Sequence, residues 1–215
     1  MLKTLGRIHI PDERDASFPF ASALMSAAPT KQSKYYRATP ILNQGYEPQC
    51  VAFAWKQLLQ SSPFCQGRQL KEDFIYELCQ ERDRWPGEAY DGTSVRAGAK
   101  VLQRLGFIDT YLWANTVQDV KTWILSTSPV VLGTLWYSEM STPDDKGFVK
   151  AAGGIAGGHA YLCVGYSHKR KAFRCVNSWG TGWGDKGRFW LTEDDLAKLL
   201  SESGEACTAK EVRIR

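Results

Sequence analysis

The sequence predicts an α+β protein with helices in its first half, strands in its second, and two packed sub-domains. Two patterns carry this reading. Apolar residues recur at helical spacing between Cys50 and Ile124, whereas apolar runs bounded by turn residues fill the chain from Pro129 onward. The 215 residues, 43% of them hydrophobic, suffice to bury a full core.

The first 36 residues carry proline and charge breaks, then the polar stretch from Thr30 to Lys34, and show no sustained period. They predict an extended arm over 1–36 and a folded body over 37–215. One helix should run from Cys50 through Leu59. A second is expected within Leu70–Trp85, where Phe74, Ile75 and Leu78 share a face. Gly92-Thr93-Ser94 offers an N-cap ahead of Val95, Val101, Leu102 and Leu105, and Gly106 offers a stop. Asn115 or Thr116 caps a helix carrying Val117, Val120, Trp123 and Ile124.

Pro129–Trp136 reads as a buried strand. Ala160–Tyr166 and Lys171–Val176 read as a hairpin, Arg188–Leu191 and Glu211–Arg215 as shorter strands. Thr192-Glu193-Asp194-Asp195 opens a last helix through Leu200.

The formal net charge is +4, with no dense basic patch interleaved with aromatics, so no nucleic-acid partner is expected. His168-Lys169-Arg170-Lys171 reads as one exposed hairpin turn. No apolar run approaches the ~20 residues of a membrane span. The moderately apolar Phe18–Ala28 follows the mixed-charge Pro11–Asp15, unlike the basic start of a secretory signal. Six cysteines with no CxxC spacing, in a chain long enough to fold without staples, are expected as free thiols. That places the protein in the cytoplasm or another reducing interior, with secretion as the other possibility.

Cys50 stands where a loop becomes a helix. The helix dipole and unpaired N–H groups there should lower its pKa and favour the nucleophilic thiolate. Gln44, six residues upstream on a glycine-containing loop, could aim its side-chain N–H at the same point as the Cys50 backbone N–H, forming an oxyanion hole. The chain has three histidines. His9 lies in the arm and His168 in the charged turn. His159 enters a buried strand behind Gly153-Gly154 and Gly157-Gly158, glycines that admit a close backbone approach. Asn177, on the neighbouring strand, could accept the Nδ1–H of His159 and fix its orientation. Trp179 could shield that bond from water. A zinc site at His159, Cys163 and Cys175 is disfavoured, because residues four apart on a strand lie ~13 Å apart. No metal and no cofactor is expected.

These segments resemble the papain family of cysteine peptidases. Asn43-Gln44-Gly45 through Cys50 resembles the family's Gln-Gly-x-Cys-Gly-Ser-Cys segment with the same Gln-to-Cys spacing. Gly158-His159-Ala160 with Val164-Gly165-Tyr166 resembles its His-Ala strand, and Asn177–Gly184 with Lys186-Gly187 its Asn-Ser-Trp-Gly run. The resemblance covers roughly 36–215 and is strongest to short bacterial and viral members. It implies a helical lobe over about 45–127, an antiparallel β-barrel lobe over about 128–215, and an active-site cleft between them. Cys50 would be the nucleophile, His159 the general acid/base, Asn177 its orienter and Gln44 the oxyanion donor. Asp91, Gly92 and Gly158 would contact substrate backbone.

Two departures stand out. Glu47 occupies the place of a disulfide cysteine of secreted members, and Pro48-Gln49 replaces a Gly-Ser pair. The arm is much shorter than those members' helical propeptide. It is expected as a brace across the body, with a removable inhibitor or a partner-docking strand as alternatives. The implied activity is peptide-bond hydrolysis by a monomer acting on peptides or proteins. Transamidation, deamidation or ligation through the same acyl-enzyme, and a silent peptide-binding module, are the alternatives.

Overall fold

A computed structural model describes residues 4–13, 17–20, 31–38, 40–83 and 90–212. Five helices are described: α1 (Cys50–Gln60), α2 (Glu72–Gln80), α3 (Val95–Arg104), α4 (Val117–Ser126) and α5 (Glu193–Ser201). The strands are β1 (Lys34–Tyr35), β2 (Ile108–Ala114), β3 (Val130–Tyr137), β4 (Ile155–Ser167), β5 (Ala172–Val176), β6 (Arg188–Thr192) and β7 (Glu205–Val212).

Local chemistry sets the helix starts. The Ser94 hydroxyl accepts from the Ala97 N–H to cap α3. Thr116 and Asp119 form a reciprocal capping box on α4. Thr192 accepts from the Asp195 N–H at α5. The α1 N-terminus has no side-chain cap.

All strand pairings are antiparallel, in the order β2-β7-β3-β4-β5-β6, with β1 added to β4. β4 is covered on both faces, and its alternation divides two cores. Ala160, Leu162 and Val164 join the helical core with Val51, Trp55, Leu58 and Leu102. Tyr161 and Cys163 join a core to which β2, β3, β5, β6 and β7 all contribute, so the sheet curves around it. The end strands β2 and β6 do not pair. Against α1, α3 presents Gly98, where a Cβ would collide with the Trp55 indole.

Several expectations change. Over 70–85 the described helix is Glu72–Gln80, and Trp85 lies outside the described residues. β2 was not expected. Its Leu112–Ala114 stretch is buried on both faces, which removes the alternation that marks a strand. β4 starts five residues before Ala160, through its glycines. The last strand begins at Glu205 instead of Glu211; its start was hidden because Ala206 and Ala209 interrupt the β-branched and aromatic pattern that marks a strand.

Candidate active site

Cys50 is the first residue of α1 and fully buried. His159 is on β4, and Asn177 directly follows β5. Cys50 Sγ accepts a hydrogen bond from the Ala160 N–H at 3.4 Å, which fixes the thiol beside the histidine. His159 Nε2 lies 2.8 Å from Asn177 Oδ1. The same Oδ1 accepts from the Ser178 N–H at 2.7 Å, so it is an acceptor and Nε2 carries the proton. Asn177 therefore holds Nε2, not the Nδ1 that the sequence suggested, because the imidazole turns Nε2 toward β5. Nδ1 is buried, with no hydrogen-bond partner among the described residues.

Two indoles enclose the imidazole. Trp179 lies over it with centroids 4.9 Å apart at 30°, and Trp136 meets it edge-on at 4.9 Å and 76°. The sequence does not mark Trp136, because burial within β3 already accounts for an indole there.

Gln44 is positioned from the Asn177 loop. Its side-chain Oε1 accepts from Ser178 Oγ at 2.5 Å, and its backbone N–H donates to the Ser178 carbonyl at 2.8 Å. Nε2 is thereby turned to donate to the carbonyls of Glu47 at 2.7 Å and Thr4 at 3.2 Å. Ser178 thus fixes Gln44, a role its place in a turn-rich run does not reveal.

Thr4 belongs to the arm, and the arm lies in the site. The Thr93 N–H donates to the Gly6 carbonyl at 2.8 Å, and the Ile8 N–H donates to the Thr93 carbonyl at 2.9 Å, a parallel bridge around Arg7. The Arg7 N–H donates to the Gly158 carbonyl at 2.9 Å. The Gly6 N–H faces the Cys50 thiol and favours its ionised form. Gly6 fits because it has no side chain: a Cβ would collide with the Pro48 carbonyl. The glycines before His159 serve the same approach, since a Cβ at Gly158 would strike the Arg7 carbonyl and one at Gly157 would press on Leu5.

The arm leaves a cavity of about 380 Å³ beside Leu5, lined by Asp91, Trp136, Ser141, Gly157 and Trp179. Gly92 backs onto the arm, but its N–H donates to the Tyr76 hydroxyl at 2.9 Å, so Thr93 makes the backbone pairs. Asp83 stiffens that segment, accepting from Ser94 Oγ at 2.7 Å and from the Thr93 hydroxyl. Farther along, the arm also braces the body: the Trp113 N–H donates to the Phe18 carbonyl, Phe20 packs on Trp123, and β1 pairs with β4.

Burial in the closed chain reverses the electrostatics expected of Cys50. It pushes the thiol up to about 11, against the opposing N–H groups of Ala160, Gly6 and Val51 and the charge of Arg7. It also pulls His159 down to about 4, against the Asn177 hydrogen bond. Both shifts favour a neutral thiol–imidazole pair while the arm is seated. No disulfide joins the six cysteines. Among the described residues no cluster of three or more His, Cys, Asp or Glu is arranged to hold a metal. None of the described helices is long and apolar enough to cross a membrane.

A thiol at a helix start, an imidazole held by an asparagine and a glutamine N–H nearby are the groups that cysteine-nucleophile chemistry requires. Residues 90–208 match the sequence profile described as papain family cysteine protease, and the chain belongs to that family. It is 30% identical over 134 residues to an uncharacterized peptidase C1-like protein of Acanthamoeba polyphaga mimivirus. That match takes in 58% of this chain and 43% of the viral protein, so the chain spans less than half of that relative's length. The fold is similar to that of xylellain, a cysteine protease from Xylella fastidiosa, with TM-score 0.72, 22% identity, and 99% and 98% of the two chains covered. It is also similar to the Carica candamarcensis cysteine protease CMS1MS2, solved in complex with E-64, with TM-score 0.62, 18% identity, and 85% and 100% covered.

Proposed function

We propose that the chain is a cysteine endopeptidase held latent by its own N-terminal arm. The observation that carries this is the Cys50–His159–Asn177 arrangement, with residues 4–8 laid across it.

The chemistry follows from the atoms. With Nε2–H committed to Asn177, Nδ1 is the free base of the neutral ring, and it takes the Cys50 proton once the cleft admits substrate. The thiolate attacks a peptide carbonyl carbon. The oxyanion settles between the Cys50 N–H and Gln44 Nε2–H, the donor that Thr4's carbonyl engages in the closed chain. The imidazolium then protonates the leaving amine, and water clears the thioester.

The arm escapes this fate because it presents the thiol with the N–H of Gly6, a donor, instead of a carbonyl carbon. Gly6→Ala in the full chain should dislodge the arm through its clash with Pro48. Peptide cleavage and iodoacetamide labelling of Cys50 should both rise. Cleavage by Cys50→Ala in that background would refute the nucleophile assignment. Mass spectrometry of the products separates hydrolysis from transfer to another acceptor.

A further inference from the structure

Asp83 stands three residues past the end of α2 and is buried, 7% exposed. Its backbone N–H donates to the Cys79 carbonyl at 3.0 Å, so the turn that ends the helix sets its place. Both carboxylate oxygens face the segment that carries Thr93. Oδ1 accepts from Ser94 Oγ at 2.7 Å, and Oδ2 accepts from the Thr93 hydroxyl and from the Ser94 N–H at 3.4 Å. A buried carboxylate met by three donors is a directional anchor, because each bond is charge-assisted and the group is costly to leave unpaired.

Residues 90–94 belong to no helix or strand. Thr93 there has both backbone groups turned to the cleft, its N–H to Gly6 and its carbonyl to Ile8 of the arm. Its remaining polar group, the hydroxyl, holds it to the body through Asp83. The same helix supports the segment's other end: Tyr76 Oη accepts from the Gly92 N–H at 2.9 Å, and Gln80 Nε2 donates to the Tyr90 carbonyl at 2.8 Å. Tyr76, Gln80 and Asp83 recur at i, i+4 and i+7, so one face of α2 and its closing turn carries all three. Ser94, which donates to Asp83, also caps α3, so one carboxylate ties α2, the segment and α3 together.

We propose that Asp83 is a positioning residue for the substrate. It does not touch the substrate. By anchoring Thr93 it sets how far the backbone groups that grip an extended peptide stand from the Cys50 thiol. The claim rests on the peptidase reading for the word substrate, but the anchoring itself can be measured without cleavage. The arm in the closed chain and a peptide in the opened one depend on the same anchor.

The test compares Asp83→Asn, which sets an amide NH₂ against these donors, with Thr93→Val, which keeps the backbone groups and removes the hydroxyl. Both are made in full-length Gly6→Ala chain. Each should raise KM for a fluorogenic peptide by about 10-fold, the loss of one charge-assisted hydrogen bond, with kcat little changed. Iodoacetamide, too small to span from the thiol to Thr93, should alkylate Cys50 at a nearly unchanged rate. The double variant should be no worse than the worse single one, because both remove the same contact. Unchanged KM, effects that multiply in the double variant, or alkylation that falls in step with cleavage overturns the proposal and leaves the peptidase standing. Should Asp83→Asn not fold, Thr93→Val decides by its KM and its alkylation rate.

If no peptide is cut, the peptidase reading fails and amide hydrogen exchange decides the anchor. In full-length chain with Gly6 intact, each variant should speed exchange of the Thr93 and Ile8 N–H groups by about 10-fold, while the Trp113 N–H on the Phe18 carbonyl exchanges as before. Unchanged exchange at Thr93 and Ile8, or equal acceleration at Trp113, overturns the proposal.

Discussion

Asn177 Oδ1 and Gln44 Oε1 each accept from Ser178, one from its N–H and one from its hydroxyl. One serine therefore orients the amide that holds the imidazole and the amide proposed to receive the oxyanion. In an arm-opened background Gln44→Ala should lower kcat by about 10²–10³-fold, the usual loss for one oxyanion donor. Ser178→Ala should cost about 10-fold with KM little changed, since the glutamine remains but is less well aimed. Steady-state kinetics on one peptide compares the two, and an equal or larger loss in Ser178→Ala would contradict this division of roles. The closed chain should also alkylate slowly: iodoacetamide labelling of Cys50 should keep rising toward pH of about 11, where the buried thiol ionises, and the Gly6→Ala chain should reach its plateau at lower pH. That Cys50, His159 and Asn177 come together was legible, because the chain has three histidines and the spacing left one of them near a strand partner. Ser178, Trp136 and the choice of ring nitrogen were not, because they depend on side-chain directions that spacing does not encode.

At the scale of elements, caps and helical periods were readable for α3, α4 and α5 because their signals are local. β2 and the start of β7 were not, because their place is decided by pairing with each other and with β3 across roughly a hundred residues of sequence. The glycines before His159 signalled that a backbone must approach, without naming it as the chain's own residues 5–7. The α1–α3 contact supports a further prediction. Gly98→Ala should destabilise the fold by about 1–3 kcal/mol in denaturant titration, since the added methyl must displace the buried Trp55 indole.

For the whole molecule, burial of the site couples stability to pH. His159 is held at about 4 in the folded chain against 6.5 when free. The unfolded chain therefore takes up a proton over that window that the folded chain refuses, and stability falls as pH drops from about 6.5 to about 4. Replacing His159 by Gln should flatten that part of a stability–pH curve measured by urea unfolding. At the alkaline end the sign is opposite in proton terms: Cys50 keeps its proton to about 11 when folded, and stability falls as pH rises beyond 9.

The residues on the Cys50 thiol and on Thr93 reach the body through the same chain that is pinned again at Phe18 and Lys34. The segment thus meets its cleft at a tethered local concentration, on the order of millimolar for short connections, whatever the number of molecules in solution. A single backbone cut between Ile10 and Phe18 would turn an intramolecular contact into a dissociable one. Activity per molecule in nicked protein should then rise on dilution, whereas that of intact chain should not change.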